Sequence, residues 1–286
     1  MKKTKVLFIM IILLCFISIA GCQTSSQEDG TEQTQTTQQA ETTKDIQTQK
    51  GMTQAEQEYF LQAKPSIEQI ITDINSINKI VTTNTNDINA WKEAIPYAEN
   101  CIKLGTELEN LQGTEETKTI SELVQLFGNN VKHGNENFIE GLETVNAEKL
   151  QDWIQINMKD IVAYTYEIRA YSQEGKTIQE QLKEEMRNLL SEEEIERITF
   201  LSGFSAITFQ LEASDTITGL MKIYEILNLM GKQEKYEYLD ISFGVEDEVT
   251  VFLKVDMTSQ TRNQIDFDTF EWGDIPEMAD SYIDKY

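Results

Sequence analysis

The sequence is poor in cysteine, histidine and basic residues, and each shortage excludes a class of protein. Its 286 residues include three cysteines and one histidine, too few for a disulfide framework or a zinc site with several Cys and His ligands. A single histidine also excludes a ferritin-like di-iron centre, which needs two Glu-x-x-His motifs. Lys and Arg number 24 against 49 Asp and Glu, which gives a net charge of −25. Such a surface repels phosphate groups, so we expect no nucleic-acid partner.

The sequence also lacks the motifs by which common enzymes are recognised. It contains no Gly-x-Ser-x-Gly nucleophile elbow, no phosphate-binding loop and no dinucleotide-binding fingerprint. The regular α/β alternation of transporter-type solute-binding proteins is missing as well. We therefore expect a protein that is not an enzyme and that needs no cofactor, with an enzyme of unrecognised type as an alternative.

The first 22 residues have the three parts of a secretory signal. Three lysines precede an almost entirely apolar run, residues 6–20, which is too short to span a membrane comfortably. The run leads into Ile19-Ala20-Gly21-Cys22, which resembles the lipobox of bacterial lipoprotein precursors at all four positions. The resemblance implies cleavage of residues 1–21, a diacylglycerol on the Cys22 thiol and often a further acyl chain, such as palmitate, on the new N-terminus.

That resemblance predicts where the protein works. It implies a lipid-anchored, extracytoplasmic protein on the outer face of the bacterial cytoplasmic membrane, or at the outer membrane if the source is diderm. The stretch that follows is rich in Gln and Thr, and Gln23–Gly51 holds one large apolar residue, Ile46. Because it cannot bury enough apolar surface to offset its ordering entropy, we predict a disordered tether over residues 22–52.

From Gln54 onward the apolar residues recur at steps of three and four, which predicts amphipathic helices of the coiled-coil or bundle type. Pro65 predicts either a kink or a helix that starts at Ser66. A fifth helical segment is predicted from Ser191 to Gly231, with Ser191 and Glu194 as a capping box. The fold class is therefore mainly α, with an elongated bundle of about five helices over residues 53–231.

After Gly231 the period of the pattern falls to two. Residues 236–243 and 249–257 are rich in β-branched and aromatic side chains, which predicts a β-hairpin. Asp274 before Pro276 predicts a short terminal helix. Residues 232–286 are thus expected to form a small β-hairpin followed by an acidic and aromatic C-terminal segment.

The single histidine gives the one candidate metal site. His133 and Glu136 stand three residues apart on a predicted helix, so both side chains could reach one metal ion. The pair is similar to the His-x-x-Glu motif of imelysin-like, iron-associated helical proteins. The glycine which that family places two residues before its histidine is Val131 here. The alternative is a solvated flank of the helix with no ligand.

The C-terminal segment is the predicted partner-binding element, because aromatic residues alternate there with acids. Aromatic side chains carry much of the binding energy of protein interfaces, so we expect a protein partner. Acidic side chains attract basic surfaces, so the segment favours a basic partner. The alternative is that these side chains cover the hairpin or the end of the bundle. The candidate residues are Phe267, Phe270, Trp272, Tyr282 and Tyr286.

Other aromatic residues are expected in the core. Trp91, Trp153 and the tyrosines at 164, 166 and 171 could line a ligand groove, but their helical spacing is more typical of core packing. Cys101 is expected to be a buried small hydrophobic residue. The sequence therefore favours a non-enzymatic binding or scaffold module on a lipid anchor, with a helical receptor for a small ligand or metal as the alternative.

Overall fold

Helices form most of the described chain, and a small sheet follows them. The structure is a computed structural model that describes residues 51–285 apart from 86, 202–203 and 248–249. The predicted signal, Cys22 and nearly all of the predicted tether lie outside the described residues. Among the helices that are described, none combines the length and the apolar character needed to cross a membrane.

The first half of the described chain is helical. Its first helix begins at a capping box between Thr53 and Glu56 and continues through Pro65, so the predicted alternative start at Ser66 is wrong. Pro96 lies in the first turn of the second helix, where the missing N–H has no helical acceptor to lose. The elements are α1 (Gln54–Thr83), a 3-10 turn (Ala90–Ala94), α2 (Ile95–Glu109), α3 (Lys118–Thr144), α4 (Ala147–Gln155), a π turn (Ile156–Ile161) and α5 (Val162–Glu174).

Helices α2 and α3 approach each other backbone to backbone at two glycines. A Cβ on Gly105 would lie 2.7 Å from the carbonyl oxygen of Gly128, and a Cβ on Gly128 would lie 2.6 Å from that of Gly105. No side chain fits at either position without a shift of one helix. The α2–α3 packing therefore depends on this pair of glycines.

The second half of the described chain mixes helices with strands. Its strands form a five-stranded sheet in the order β1-β2-β3-β4-β5 within the described residues. Strands β2 and β3 are parallel, joined by a crossover through α8, and the other pairs are antiparallel. The elements are α6 (Ile178–Met186), α7 (Glu192–Glu196), β1 (Thr199–Phe200), β2 (Ala206–Glu212), α8 (Thr216–Gly231), a 3-10 turn (Glu234–Tyr236), β3 (Asp240–Glu246), β4 (Val251–Met257), α9 (Ser259–Arg262), a 3-10 turn (Trp272–Asp274), α10 (Ile275–Met278) and β5 (Ser281–Asp284).

The continuous fifth helix predicted from Ser191 to Gly231 is wrong in its middle. Strand β2 lies there, with Ile207, Phe209 and Leu211 buried and the residues between them partly exposed. This is an alternation of period two, which belongs to a half-buried strand. The predicted ends fit better, since Ser191 and Glu194 form the capping box of α7 and α8 extends to Gly231.

The C-terminal strands also depart from a simple hairpin. Strands β3 and β4 pair antiparallel, but β2 flanks β3 on its other side and β5 flanks β4. Strand β3 begins at Asp240 rather than at Tyr236, because Tyr236 belongs to a 3-10 turn. Pairing within a larger sheet supplies the neighbours that an isolated hairpin would lack in water.

The buried apolar side chains fall into two clusters that meet in α5. The first cluster draws on α1–α5 and runs from Met52 to Tyr171. The second starts at Ala170 and continues through α6, α8 and the sheet to Ile275. Along the chain, the buried residues thus stop belonging to the first cluster and start belonging to the second well before Gly231. The helical pattern of the sequence stops only at Gly231. The domain boundaries drawn from the sequence stay predictions.

Candidate functional site

The first described residue, Gly51, lies against the C-terminal end of α5. Gly51 has a φ of +105°, and a Cβ added to it would lie 1.9 Å from the carbonyl oxygen of Glu174. Met52, the next residue, is 4% exposed and belongs to the first cluster. The first described residues therefore lie beside the link between α5 and α6.

The predicted metal pair lies on the surface of α3. The Nδ1 atom of His133 is 4.0 Å from an Oε2 of Glu136, and both side chains are largely exposed. A shallow cleft of about 210 Å³ beside His133 also includes Asp152 and Asp160. In the part of the chain that the structure describes, no group of three or more His, Cys, Asp or Glu side chains could hold a metal ion. The metal role of His133 and Glu136 stays a prediction.

The predicted partner-binding aromatics are divided between core and surface. Phe270 is 5% exposed, and its ring contacts that of Tyr224 at a tilt and that of Phe267 edge to face, so it has little surface for a partner. Tyr282 and Phe267 pack against the second cluster, whereas Trp272 is exposed. Tyr286 lies outside the described residues. This placement leaves Trp272 as the described aromatic of this set most accessible to a partner.

Most of the other aromatic residues are in the core, as their spacing predicts. Trp91, Trp153, Tyr164 and Tyr171 are buried, and so is Cys101. Burial, together with the charge of Asp73, raises the pKa of the Cys101 thiol to about 12, so the reactive thiolate is suppressed. Tyr166 is the exception in its group, because it lines a groove on the surface.

That groove lies between α5, α6 and the 3-10 turn that precedes β3, and it has a volume of about 300 Å³. We call it the α5–α6 groove. It brings together side chains that are far apart in the sequence. Its lining consists of Tyr166, Arg169, Ala170, Gln173, Glu174, Gln181, Gln233, Glu234 and Lys235.

Hydrogen bonds hold one wall of the α5–α6 groove in place. The ammonium group of Lys235 donates to Glu185, at 2.6 Å, and to Gln181, at 2.9 Å. Glu185 also accepts hydrogen bonds from Gln233, at 2.8 Å, and from the hydroxyl of Tyr236, at 3.0 Å. The 3-10 turn is thereby tied to α6 through one carboxylate, and the side chains of Gln181 and Gln233 are held in place.

The opposite wall is formed by an ion pair and an aromatic stack. Arg169 donates to Glu234 at 3.0 Å, and both side chains are more than half exposed, so the pair adds little stability. Tyr166 stacks on Tyr238 with ring centroids 4.8 Å apart and planes 20° apart. This contact fixes the Tyr166 ring at the edge of the groove.

Two residues next to Tyr166, its chain neighbour Glu167 and its stacking partner Tyr238, have buried polar groups. Glu167 is fully buried, and its Oε1 atom has no hydrogen-bond partner within the described residues. The hydroxyl of Tyr238 is likewise buried and has none in that part of the chain. Burial raises the pKa of Glu167 to about 7 and also raises the pKa of Tyr238. A carboxyl group that titrates near neutral pH thus sits where the two clusters meet.

Sequence reasoning found one residue of this groove, Tyr166, and missed the others. Residues from α5, α6 and the turn after α8 meet there through tertiary packing, and Arg169 on α5 contacts Glu234 in that turn directly. The one sequence feature that marks the groove is the polar run from Lys232 to Lys235, which follows the apolar helix α8. Such a run is hard to tell from an ordinary solvated turn. No protein family model matches the chain, and neither a curated protein nor a solved structure is significantly similar to it.

Proposed function

We propose that the protein is an extracytoplasmic lipoprotein, anchored through Cys22, whose folded part is a non-enzymatic binding or scaffold module. The observation that carries the proposal is the complete Ile19–Cys22 motif directly after a basic start and a short apolar run. A lipid anchor places the folded part at a membrane surface without a spanning helix. The segment between Cys22 and Gly51 then acts as a tether.

The arrangement of the folded part supports a binding role. Helix α3 packs against α2, α4 and α5, and α1 packs against α2, which supports a bundle of about five helices as a rigid support. The α5–α6 groove at its edge is built from hydrogen-bonded polar side chains. Preorganised polar side chains around a small concavity are typical of ligand recognition.

The groove favours the small-ligand receptor as the second candidate function. Its network around Glu185 fixes donors and acceptors before any ligand arrives, which lowers the entropic cost of binding. The exposed His133 and Glu136 belong to no group of three or more His, Cys, Asp or Glu side chains that could hold a metal ion among the described residues, which makes the metal-receptor version the weaker one.

The anchor is tested by replacing one cysteine at a time. We expect wild-type cells to incorporate labelled palmitate into the protein and to retain it in the membrane fraction. Cys22→Ala should abolish both the label and cleavage before residue 22, because that thiol carries the diacylglycerol. Cys15→Ala is the matched control, since it lies in the apolar run and should leave labelling intact. A Cys22→Ala protein that is still labelled refutes the anchor.

A further inference from the structure

The α5–α6 groove is electrically balanced on a protein that is strongly acidic. Two cations, Arg169 and Lys235, and two acids, Glu174 and Glu234, are among its lining residues. Arg169 pairs with Glu234, and Lys235 is held by Glu185 outside the groove. Neither sign of charge dominates, so the groove does not select a phosphate group or a polyamine by long-range attraction. The balance favours an uncharged ligand.

The polar groups of the groove suit a ligand with several hydroxyl groups. Gln173, Gln181 and Gln233 line the groove with planar amides. Gln181 keeps one N–H and one lone pair of its oxygen, because it already donates to the Lys176 carbonyl and accepts from Lys235. Gln233 keeps its oxygen as an acceptor, because its nitrogen donates to Glu185 and to the Leu229 carbonyl. Gln181 and Gln233 are held by Lys235 and Glu185, so their amides are already oriented. Gln173 is exposed, and its side chain makes no hydrogen bond to any of the residues that the structure describes. Adjacent hydroxyl groups of one ligand could bond to such an array.

The apolar part of the groove is small. It consists of the methyl group of Ala170 and the ring of Tyr166, which Tyr238 supports from behind. A tyrosine ring offers an apolar face and keeps a polar hydroxyl at its edge. This surface matches a ligand that has one apolar face of C–H groups and a polar rim.

The size and the walls of the groove exclude a peptide. A volume of about 300 Å³ lies at the lower end of the range for small-molecule sites. The walls are two helices and a turn, and they present no strand edge with which a peptide backbone could pair. We propose that the α5–α6 groove binds a neutral saccharide of one or two rings. This inference rests on the proposal that the folded part is a binding module, and it is independent of the lipid anchor.

The binding is tested with two neutral sugars of two rings each, maltose and N,N′-diacetylchitobiose. The probe is calorimetric titration of the full chain, purified in a detergent without a sugar head group so that the detergent does not compete. We expect binding of at least one sugar with a Kd of about 1 mM or tighter. Gln173→Ala and Arg169→Ala should each weaken it, and together by about tenfold, because hydrogen bonds to the ligand are lost.

Controls separate this site from adventitious binding. Gln62→Ala removes an exposed glutamine of α1 that is not part of the groove and should bind as the wild type does. No binding of either sugar at about 10 mM, ten times the weakest expected Kd, overturns the proposal. So does binding that survives the double replacement, or binding of inorganic phosphate, spermidine or trialanine in place of the sugars. Failure here with a normal Cys22→Ala result leaves the anchored-module proposal standing.

Discussion

The carboxylate of Glu167 accepts a hydrogen bond from the backbone N–H of Ile178, 2.9 Å away, at the first residue of α6. Both residues are fully buried, and they join α5 to α6 where the two apolar clusters meet. One hydrogen bond does not compensate for burying a charged carboxylate. Burial is the main cause that raises the pKa of Glu167, and the negative charge of Glu180 raises it further.

The free energy of unfolding should therefore fall as the pH rises through the pKa of Glu167. Its pKa is raised from 4.5 to about 7 in the folded state. The unfolded chain then loses this proton first, so the stabilising effect of the neutral form is complete below about pH 4.5 and is lost as the pH rises through about 7. The shift corresponds to about 3 kcal/mol. Glu167→Gln should remove this dependence and make the protein more stable than the wild type at about pH 8.

Urea denaturation of both proteins at about pH 5 and about pH 8 measures the effect. The difference between the two proteins isolates Glu167 from the many other acids. Glu99→Gln, an exposed replacement on α2, is the control and should track the wild type. Parallel pH profiles for Glu167→Gln and the wild type would contradict the prediction.

The close pair Gly105 and Gly128 predicts a loss of stability on adding one methyl group. Gly128→Ala improves helix propensity by about 1 kcal/mol. Its Cβ, however, would lie 2.6 Å from the carbonyl oxygen of Gly105, and backbone cannot move aside as a flexible side chain can. We expect a net destabilisation of about 1–2 kcal/mol, because overpacking outweighs propensity. Thermal unfolding should give a higher melting temperature for the wild type.

Gly273→Ala is the matched control for that experiment. A Cβ at Gly273 meets no described atom within 4 Å, so the replacement should be neutral or slightly stabilising. An unchanged or raised melting temperature in Gly128→Ala would show that α2 and α3 are less closely packed than the structure describes.

Replacing Asn157 in the π turn should have the opposite outcome, a gain of stability. Its side chain is 6% exposed, and neither the oxygen nor the nitrogen of its amide has a partner in the part of the chain described. Burying an unpaired amide costs about 1–3 kcal/mol. Asn157→Leu, of similar size, should raise the free energy of unfolding by about 1 kcal/mol or more.

Asn129→Leu, on an exposed position of α3, corrects for the difference in helix propensity between the two residue types. A loss of stability in Asn157→Leu that exceeds this control would show that the amide has a partner in solution. π turns often lie at functional sites, so that result would direct attention to this turn.

The C-terminal aromatic residues should separate into one needed for folding and one that is not. Phe270→Ala empties a buried site next to Tyr224 and should cost about 3–5 kcal/mol. Trp272→Ala removes an exposed side chain and should cost less than about 1 kcal/mol. Chemical denaturation measures both, and crosslinking in intact cells then shows whether the stable Trp272→Ala protein loses a partner. Equal costs would contradict the placement of these two rings.

The sequence by itself determined the helical first half and the acidic surface. Apolar residues at steps of three and four, such as Ile67, Ile70, Ile74 and Ile77, can be buried together only on one face of a helix, and these four are buried on α1. Capping chemistry at Ser191 with Glu194 likewise specified a helix start, because it depends on residues within one turn.

Only the tertiary structure decided where the strands and the groove lie. Ile207, Phe209 and Leu211 alternate over seven residues, too short a run to outweigh the helical spacing around them until β3 lies alongside as a parallel neighbour. Glu185 organises Gln233, Lys235 and Tyr236 across about 50 residues of sequence. Sequence patterns report which face of an element is apolar, whereas a polar site between elements depends on how those elements pack.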